Sequence, residues 1–225
     1  FRDEECGLLY VVEGGKRLYF KRGIADRAQA ADYYNAMCKE QDLRSPHRYV
    51  TPTHAVEGGI VLDLGAAEGL FALRAVDRAE SIYLFECDPG WIEALEKTFQ
   101  PFAAKVHVVP KYVSDENNDR EVSLDAFSKS VAGKISFVKM DIEGAEIRTL
   151  AGAKEMMRAH PECKWSICVY HHPDDEQKVR EALRGFRIQP SPGYMLFYFD
   201  KTLKEPFFRR GVLYASAASS PSPLG

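Results

Sequence analysis

The chain has no long apolar run, no basic run and no closely paired cysteines. A membrane-spanning helix needs roughly 20 apolar residues, and no stretch reaches that, so a membrane is not expected as a partner. No secretory leader opens the chain, although it begins at Phe1 rather than Met. The formal net charge is −3, and a surface without cationic excess does not neutralise phosphates, so nucleic acid is not expected either. The five cysteines (Cys6, Cys38, Cys87, Cys163 and Cys168) are odd in number and lack a CxxC spacing. That excludes a zinc knuckle or a disulfide framework and leaves buried, reduced thiols in a cytoplasmic protein. There is no internal repeat.

What is there is the composition of a globular protein, 45% hydrophobic and 28% charged, with 225 residues for one domain and a small addition. Leu8–Val12 and Arg17–Lys21 read as strands around Glu13-Gly14-Gly15-Lys16, a tight hairpin turn. Ala25 to about Leu43 reads as a helix with Ala28, Ala31, Tyr34 and Cys38 near one face. Prolines make Ser45–Pro52 extended or looped.

From Gly59 strands and helices alternate. Strands are expected at Ile60–Leu64, Ser81–Glu86, Val106–Val109, Ile135–Asp141 and Trp165–Tyr170, with further runs at Phe186–Gln189, Met195–Phe199 and Val212–Ala215. Asp88 and Pro89 start a helix that turns Ile92, Leu95 and Phe99 inward, and Asp174 with Gln177 forms a capping box for another ending near Gly185. Such alternation implies an α/β fold with a mostly parallel sheet covered by helices on both faces. The boundaries expected are 1–57 for an N-terminal hairpin and helix cover, 58–215 for the catalytic domain and 216–225 for a disordered tail.

Ile60–Gly69 runs from a strand through Gly65-Ala66-Ala67-Glu68-Gly69 into a helix, the context of a nucleotide-binding turn. The last glycine comes one position early for the dinucleotide fingerprint. Asp63 and Glu68 put carboxylates beside the turn, which would repel a pyrophosphate and suit a cationic ligand. S-adenosylmethionine is such a ligand, with an ammonium, a sulfonium and no phosphate. Glu86 ends the next strand at the separation expected of a ribose-binding acid. The alternative is that Asp63 and Glu86 cap strand ends or pair with nearby lysines.

Phe137-Val138-Lys139-Met140-Asp141-Ile142-Glu143-Gly144-Ala145-Glu146 closely resembles the signature of the FkbM-family methyltransferases. Asp63–Leu70, Phe85–Pro89, Val113–Asp115 and Ser123–Phe127 agree with it in order and spacing, so the resemblance covers about residues 58 to 200. It implies a Rossmann-like class I methyltransferase fold and O-methylation of a small metabolite or sugar using S-adenosylmethionine. It further implies that Asp63, Gly65, Glu68 and Gly69 form the cofactor turn and that Glu86 binds the ribose; small Ala66 in the turn and Cys87, where the sequence departs from the family pattern, are counted with the cofactor-binding residues. Ser114 and Asp115 would lie near the adenine, and Asp141 with Glu143 would face the methionine part and the acceptor.

A hydroxyl acceptor needs a base. His171 is the first candidate because Tyr170-His171 resembles a pair found in family members; Glu143 and His172 are the others. Neighbours on a continuing strand point to opposite faces, so only one histidine could face the acceptor. Glu146 reads as a cap or surface residue, and Lys139 as an internal partner of Asp141. Without a third ligand beside Asp141 and Glu143, no metal is expected. His47, Arg48 and Tyr49 lie in a stretch that folds over the cofactor as a lid, lines the acceptor pocket or packs as a linker. Trp91 and Trp165 read as core. A non-catalytic adenosylmethionine-binding module is the alternative in another class, and an NAD-dependent oxidoreductase is disfavoured by the acidic turn.

Overall fold

The structure, a computed structural model, describes residues 1–197 and 205–218. In chain order its elements are β1 (Tyr10–Glu13), β2 (Lys16–Tyr19), α1 (Arg27–Glu40), β3 (Ile60–Leu64), α2 (Leu70–Ala75), β4 (Ser81–Phe85), α3 (Pro89–Phe99), β5 (Val106–Val109), β6 (Tyr112–Ser114), β7 (Glu121–Ser123) and α4 (Leu124–Ser130). They continue as β8 (Ile135–Met140), α5 (Glu146–Ala151), α6 (Lys154–Ala159), β9 (Lys164–Cys168), α7 (Asp175–Ala182), β10 (Phe186–Pro190), β11 (Met195–Leu196), β12 (Phe208–Arg209) and β13 (Val212–Ala217).

The central sheet has the order β10-β13-β9-β8-β3-β4-β5. Strands β5, β4, β3, β8 and β9 pair in parallel, and β13 inserts antiparallel between β9 and β10. This is a Rossmann-like, mostly parallel α/β sheet, with an N-terminal hairpin and helix added. The chain runs outward in one direction from β3 to β5 and in the other from β8 to β9, so the order reverses between β3 and β8. A crevice opens at such a switch point beyond the carboxyl ends of the strands.

Alternation along the strands sorts two cores. Ile60, Leu62, Leu64, Val138 and Met140 face one side with Leu150, Met156 and Val179. Val61 and Phe137 face the other, with residues of α2 and α3 and with Leu8, Leu18 and Phe20 of the N-terminal hairpin. The hairpin therefore shares a core with the sheet. Asp63 and Lys139, at matched register on β3 and β8, belong to this second face.

Some local expectations need correcting. Trp91 is buried where Ile92 is only partly so, because the inward stripe of α3 is Trp91, Ala94, Leu95, Thr98 and Phe99. Asp174 makes no capping bond and instead pairs with Lys178 at 2.7 Å. Ser216 and Ala217 are not tail but the end of β13, paired with Arg187 and Phe186. The strand expected at Met195–Phe199 is Met195–Leu196, with Tyr198 and Phe199 outside the described residues, as are 219–225 of the expected tail. All five cysteines are free, but only Cys163 and Cys168 are buried. Among the described residues no helix is long and apolar enough to cross a membrane.

Candidate active site

A cleft of about 580 Å³ lies at the switch point, within the range of small-ligand sites. Its wall runs from Gly65 and Ala67 through Glu86 and Cys87 to Ser114, Asp141 and Glu143, with Trp91 and Ile142 supplying apolar surface. The turn closes because Gly65 has φ +75° and lies against the end of β8, where a Cβ would stand 1.9 Å from the Asp141 carbonyl oxygen. Gly65 and Ala66 both donate backbone N–H groups to the Phe85 carbonyl, tying the turn to β4.

Glu86 joins the two halves of the cleft. One carboxylate oxygen accepts from the Ala67 N–H at 2.8 Å, and the other from Cys87 and Asp88 at 2.7 and 2.8 Å. Three amides fix the carboxylate while leaving lone pairs for a ligand's hydroxyls. Burial, then the Glu86 charge, push the Cys87 thiol up to about 11. Ser114 lines the cleft and caps the Glu116 N–H, whereas Asp115 pairs with Arg148 at 2.9 Å and does not line it.

Four of the turn residues do not face the cleft. Ala66 is buried, and Gly69 lies against Leu95 and Phe99. Asp63 is fully buried beneath the turn, 3.1 Å from the Lys139 ammonium. Lys139 therefore pairs with Asp63 rather than with Asp141, and it also donates to the Gly65 carbonyl. Glu68 accepts from the Leu70 N–H and meets the Tyr33 hydroxyl of α1 at 3.5 Å, and burial pushes its carboxyl up to about 7. The carboxylates that line the cleft therefore include Glu86, Asp141 and Glu143, and not Asp63 or Glu68.

Asp141 is the hub. Its Oδ2 accepts from Tyr49 Oη at 2.7 Å and lies 3.2 Å from His47 Nε2, while Oδ1 accepts from Tyr170 Oη at 3.0 Å and lies 3.4 Å from His171 Nε2. Burial alone would raise this carboxyl, but His47, Lys139 and Tyr49 outweigh it and hold it well below the usual range. Sequence reading left Ser45–Val50 between pocket lining and linker, and the structure shows it packed and in contact with Asp141. Ser166 donates to the Tyr49 carbonyl at 2.6 Å and Tyr214 to the Arg48 carbonyl at 2.7 Å, which delivers His47 and Tyr49 to Asp141.

β9 ends at Cys168, so strict alternation stops there and both Tyr170 and His171 turn toward Asp141. His171 Nδ1 lies 3.0 Å from Glu146 Oε1, and Nε2 lies 3.8 Å from Glu143 Oε2. Glu146 is fully buried and accepts the Ile142 N–H just ahead of α5, so of its two expected readings, cap or surface, the surface one is corrected. Burial opposes the His171 cation, but the Glu146 hydrogen bond and the charges of Glu146, Asp141 and Glu143 raise its pKa. Glu143 is 94% exposed at φ +55°, and His172 is exposed above Gly144.

Two groups among the described residues bring metal-type ligand atoms within 4.8 Å of one another: His47, Asp141 and Cys168, and Asp141, Glu146 and His171. Glu146 is thus the third donor absent from the sequence reading. In both groups the carboxylates raise the pKa of the histidine, that of His47 to about 9 against its burial. At His47 an imidazolium beside the Asp141 carboxylate describes the contact as an ion pair.

Residues 102–201 match the family model for the Methyltransferase FkbM domain. That stretch is similar to the FkbM methyltransferase domain. Within that FkbM match lie the β8 signature and both histidines after β9, while the glycine turn and Glu86 lie ahead of it. The solved structure of a methyltransferase FkbM from Methylobacillus flagellatus KT is 21% identical, covering 70% of this chain and 43% of its own, with a TM-score of 0.52. This chain thus spans less than half the length of that protein. An rRNA methylase from Streptococcus thermophilus is 12% identical over 73% of this chain and 89% of its own, TM-score 0.48. Precorrin-6y C5,15-methyltransferase from Geobacter metallireducens GS-15 is 15% identical over 74% and 82%, TM-score 0.47. No curated protein matches the sequence.

Proposed function

We propose that the protein transfers a methyl group from S-adenosylmethionine to an oxygen of a small metabolite or sugar, in the cytoplasm. The observation that carries this reading is the pairing of an amide-held Glu86 at the end of β4 with an ionised Asp141 at the end of β8 across one cleft. The residues fit the cofactor. Glu86 has free lone pairs for ribose hydroxyls, Trp91 and Ile142 offer flat or apolar surface, and Asp141 supplies a fixed anion for a cationic ligand. When bound, adenosylmethionine supplies a methyl group on a sulfonium that leaves as a neutral thioether.

The chain's own residues then position the acceptor and take its proton. Asp141 and Glu143 line the cleft and His171 Nε2 is buried behind them, 3.4 and 3.8 Å from their carboxylates, so on this reading the two carboxylates part to let an acceptor hydroxyl reach Nε2. Glu146 holds the Nδ1 side, selecting the tautomer whose Nε2 lone pair can accept the proton, as the carboxylate does in a nucleophile–histidine–carboxylate triad. His171 is thus the base, Glu146 its positioning residue, and Glu143 and Asp141 the cleft wall.

Calorimetric titration with S-adenosylmethionine and, separately, with NAD tests the reading. Micromolar binding of the first, lost in Glu86→Ala, with no response to NAD, is expected. Folded protein that binds NAD and not adenosylmethionine would overturn it.

A further inference from the structure

The cluster at Asp141 contains more donors than one carboxylate needs, and two come from outside the FkbM match. His47 and Tyr49 stand on the segment between α1 and β3, whereas Tyr170 and His171 follow β9. The segment is fastened on several sides. Gln41 accepts from Arg48 Nη1 through its carbonyl at 2.7 Å and from the Tyr49 N–H through its side chain at 3.1 Å. A Cβ on Gly211 would stand 2.0 Å from the Pro46 carbonyl oxygen, so only glycine lets the segment lie this close to the start of β13. Phe71 and His47 hold the Tyr49 ring edge-on at centroid distances of 6.0 and 5.3 Å.

The four donors divide between the two carboxylate oxygens. Both donors from the N-terminal segment fall on Oδ2, and both from the β9 end fall on Oδ1. The Oδ1–His171 separation of 3.4 Å is longer than a charge-assisted hydrogen bond of about 2.7–2.9 Å. A carboxylate already satisfied on the other oxygen, and on Oδ1 by Tyr170, has less residual charge to spend on the imidazole.

Resting on the proposed methyl transfer, we infer that His47 and Tyr49 are positioning residues of this site: by clamping Oδ2 of Asp141 they keep its carboxylate from closing onto His171, and so keep His171 able to take a proton. The N-terminal cover is then a working part of the centre. Every element packed there contributes. Asp141 is faced by His47 and Tyr49 of the segment, Tyr170 and His171 after β9, and Lys139 and Cys168 from the strands. His171 is faced by Asp141 and Glu143 after β8, Glu146 of α5 and Asp175 of α7, while Arg209 of β12 holds its carbonyl at 2.9 Å.

The test needs neither cofactor nor acceptor. Side-chain NMR of the histidines in the full chain, with the His171 signal assigned by its loss in His171→Ala, gives the His171 pKa directly. Tyr49→Phe removes one donor from Oδ2 and keeps the ring, and His47→Gln removes the neighbouring cation. In both, the His171 pKa is expected to rise by about half a unit or more, with Tyr34→Phe, elsewhere on the cover, leaving it in place. If methyl transfer is measured in parallel, the acid limb of its kcat profile shifts upward by the same amount. An unmoved His171 pKa in folded Tyr49→Phe and His47→Gln overturns the inference. A shifted pKa in protein that does not bind adenosylmethionine upholds the clamp and overturns the proposed function alone.

Discussion

Asp63 and Lys139 face each other across the β3–β8 pairing, carboxylate to ammonium at 3.1 Å, with side chains 0% and 4% exposed. The pair sits directly under the glycine turn, where Lys139 also reaches the Gly65 carbonyl. Burial pushes the Asp63 carboxyl up while Lys139 pulls it down, and the ammonium itself is raised to about 12 against its burial. The ion pair thus supports the turn from inside the sheet.

Removing one partner of a buried pair strands the other charge, at a cost of about 3–5 kcal/mol. Asp63→Asn and Lys139→Met should each show this loss in urea unfolding. The double variant should lose less than the sum, because no stranded charge remains. An additive double variant would mean that the two side chains do not interact.

Gly65→Ala is expected to abolish adenosylmethionine binding without unfolding the chain. An added Cβ meets the Asp141 carbonyl oxygen at 1.9 Å, and φ +75° is strained for alanine, so the turn and the β8 end must part. Calorimetry and a melting curve on the same sample separate the two effects.

His171→Ala should lower kcat by about 10² to 10⁴, the range for loss of a general base. Glu146→Gln should lower kcat less and move the acid limb of the pH profile downward, since the carboxylate that favours the His171 cation is gone. Unchanged kcat in His171→Ala would transfer the role of base to another group.

Two histidines give the stability profile opposite slopes. The His47 pKa is raised to about 9 in the fold, so its contribution is complete below about 6.5 and is lost as pH rises toward 9. His54 is buried against Phe137 and Tyr214, and desolvation lowers its pKa to about 4. The unfolded chain then binds the extra proton, so stability falls as pH drops from 6.5 toward 4. Each effect is on the order of 3 kcal/mol over its window. Denaturation midpoints against pH should lose the alkaline decline in His47→Gln and the acid decline in His54→Phe.

Much of the strand–helix alternation is a local property and stands in the sequence. Short apolar strands such as Ile60–Leu64, the Asp88-Pro89 helix start and the glycine turn each follow from backbone preference and from which side chains avoid water. The Asp141–Glu146 signature was legible for the same reason, as a run of residues in one place. The sequence therefore determined the class of fold and the strand ends at which a site would form.

What only the tertiary structure decided is which side chains meet there. Asp63 reads as a cofactor ligand until the register of β3 with β8 sets Lys139 beside it. Glu146 looks like a helix-start carboxylate until α5 packs on α7 and the chain after β9 brings His171 to it. His47 and Tyr49 reach Asp141 across 94 and 92 residues, a contact no local pattern encodes. Hydrophobic periodicity specifies faces and elements, whereas the partner of a buried charge is fixed only when the sheet order brings distant strand ends together in a medium where unpaired charge is costly.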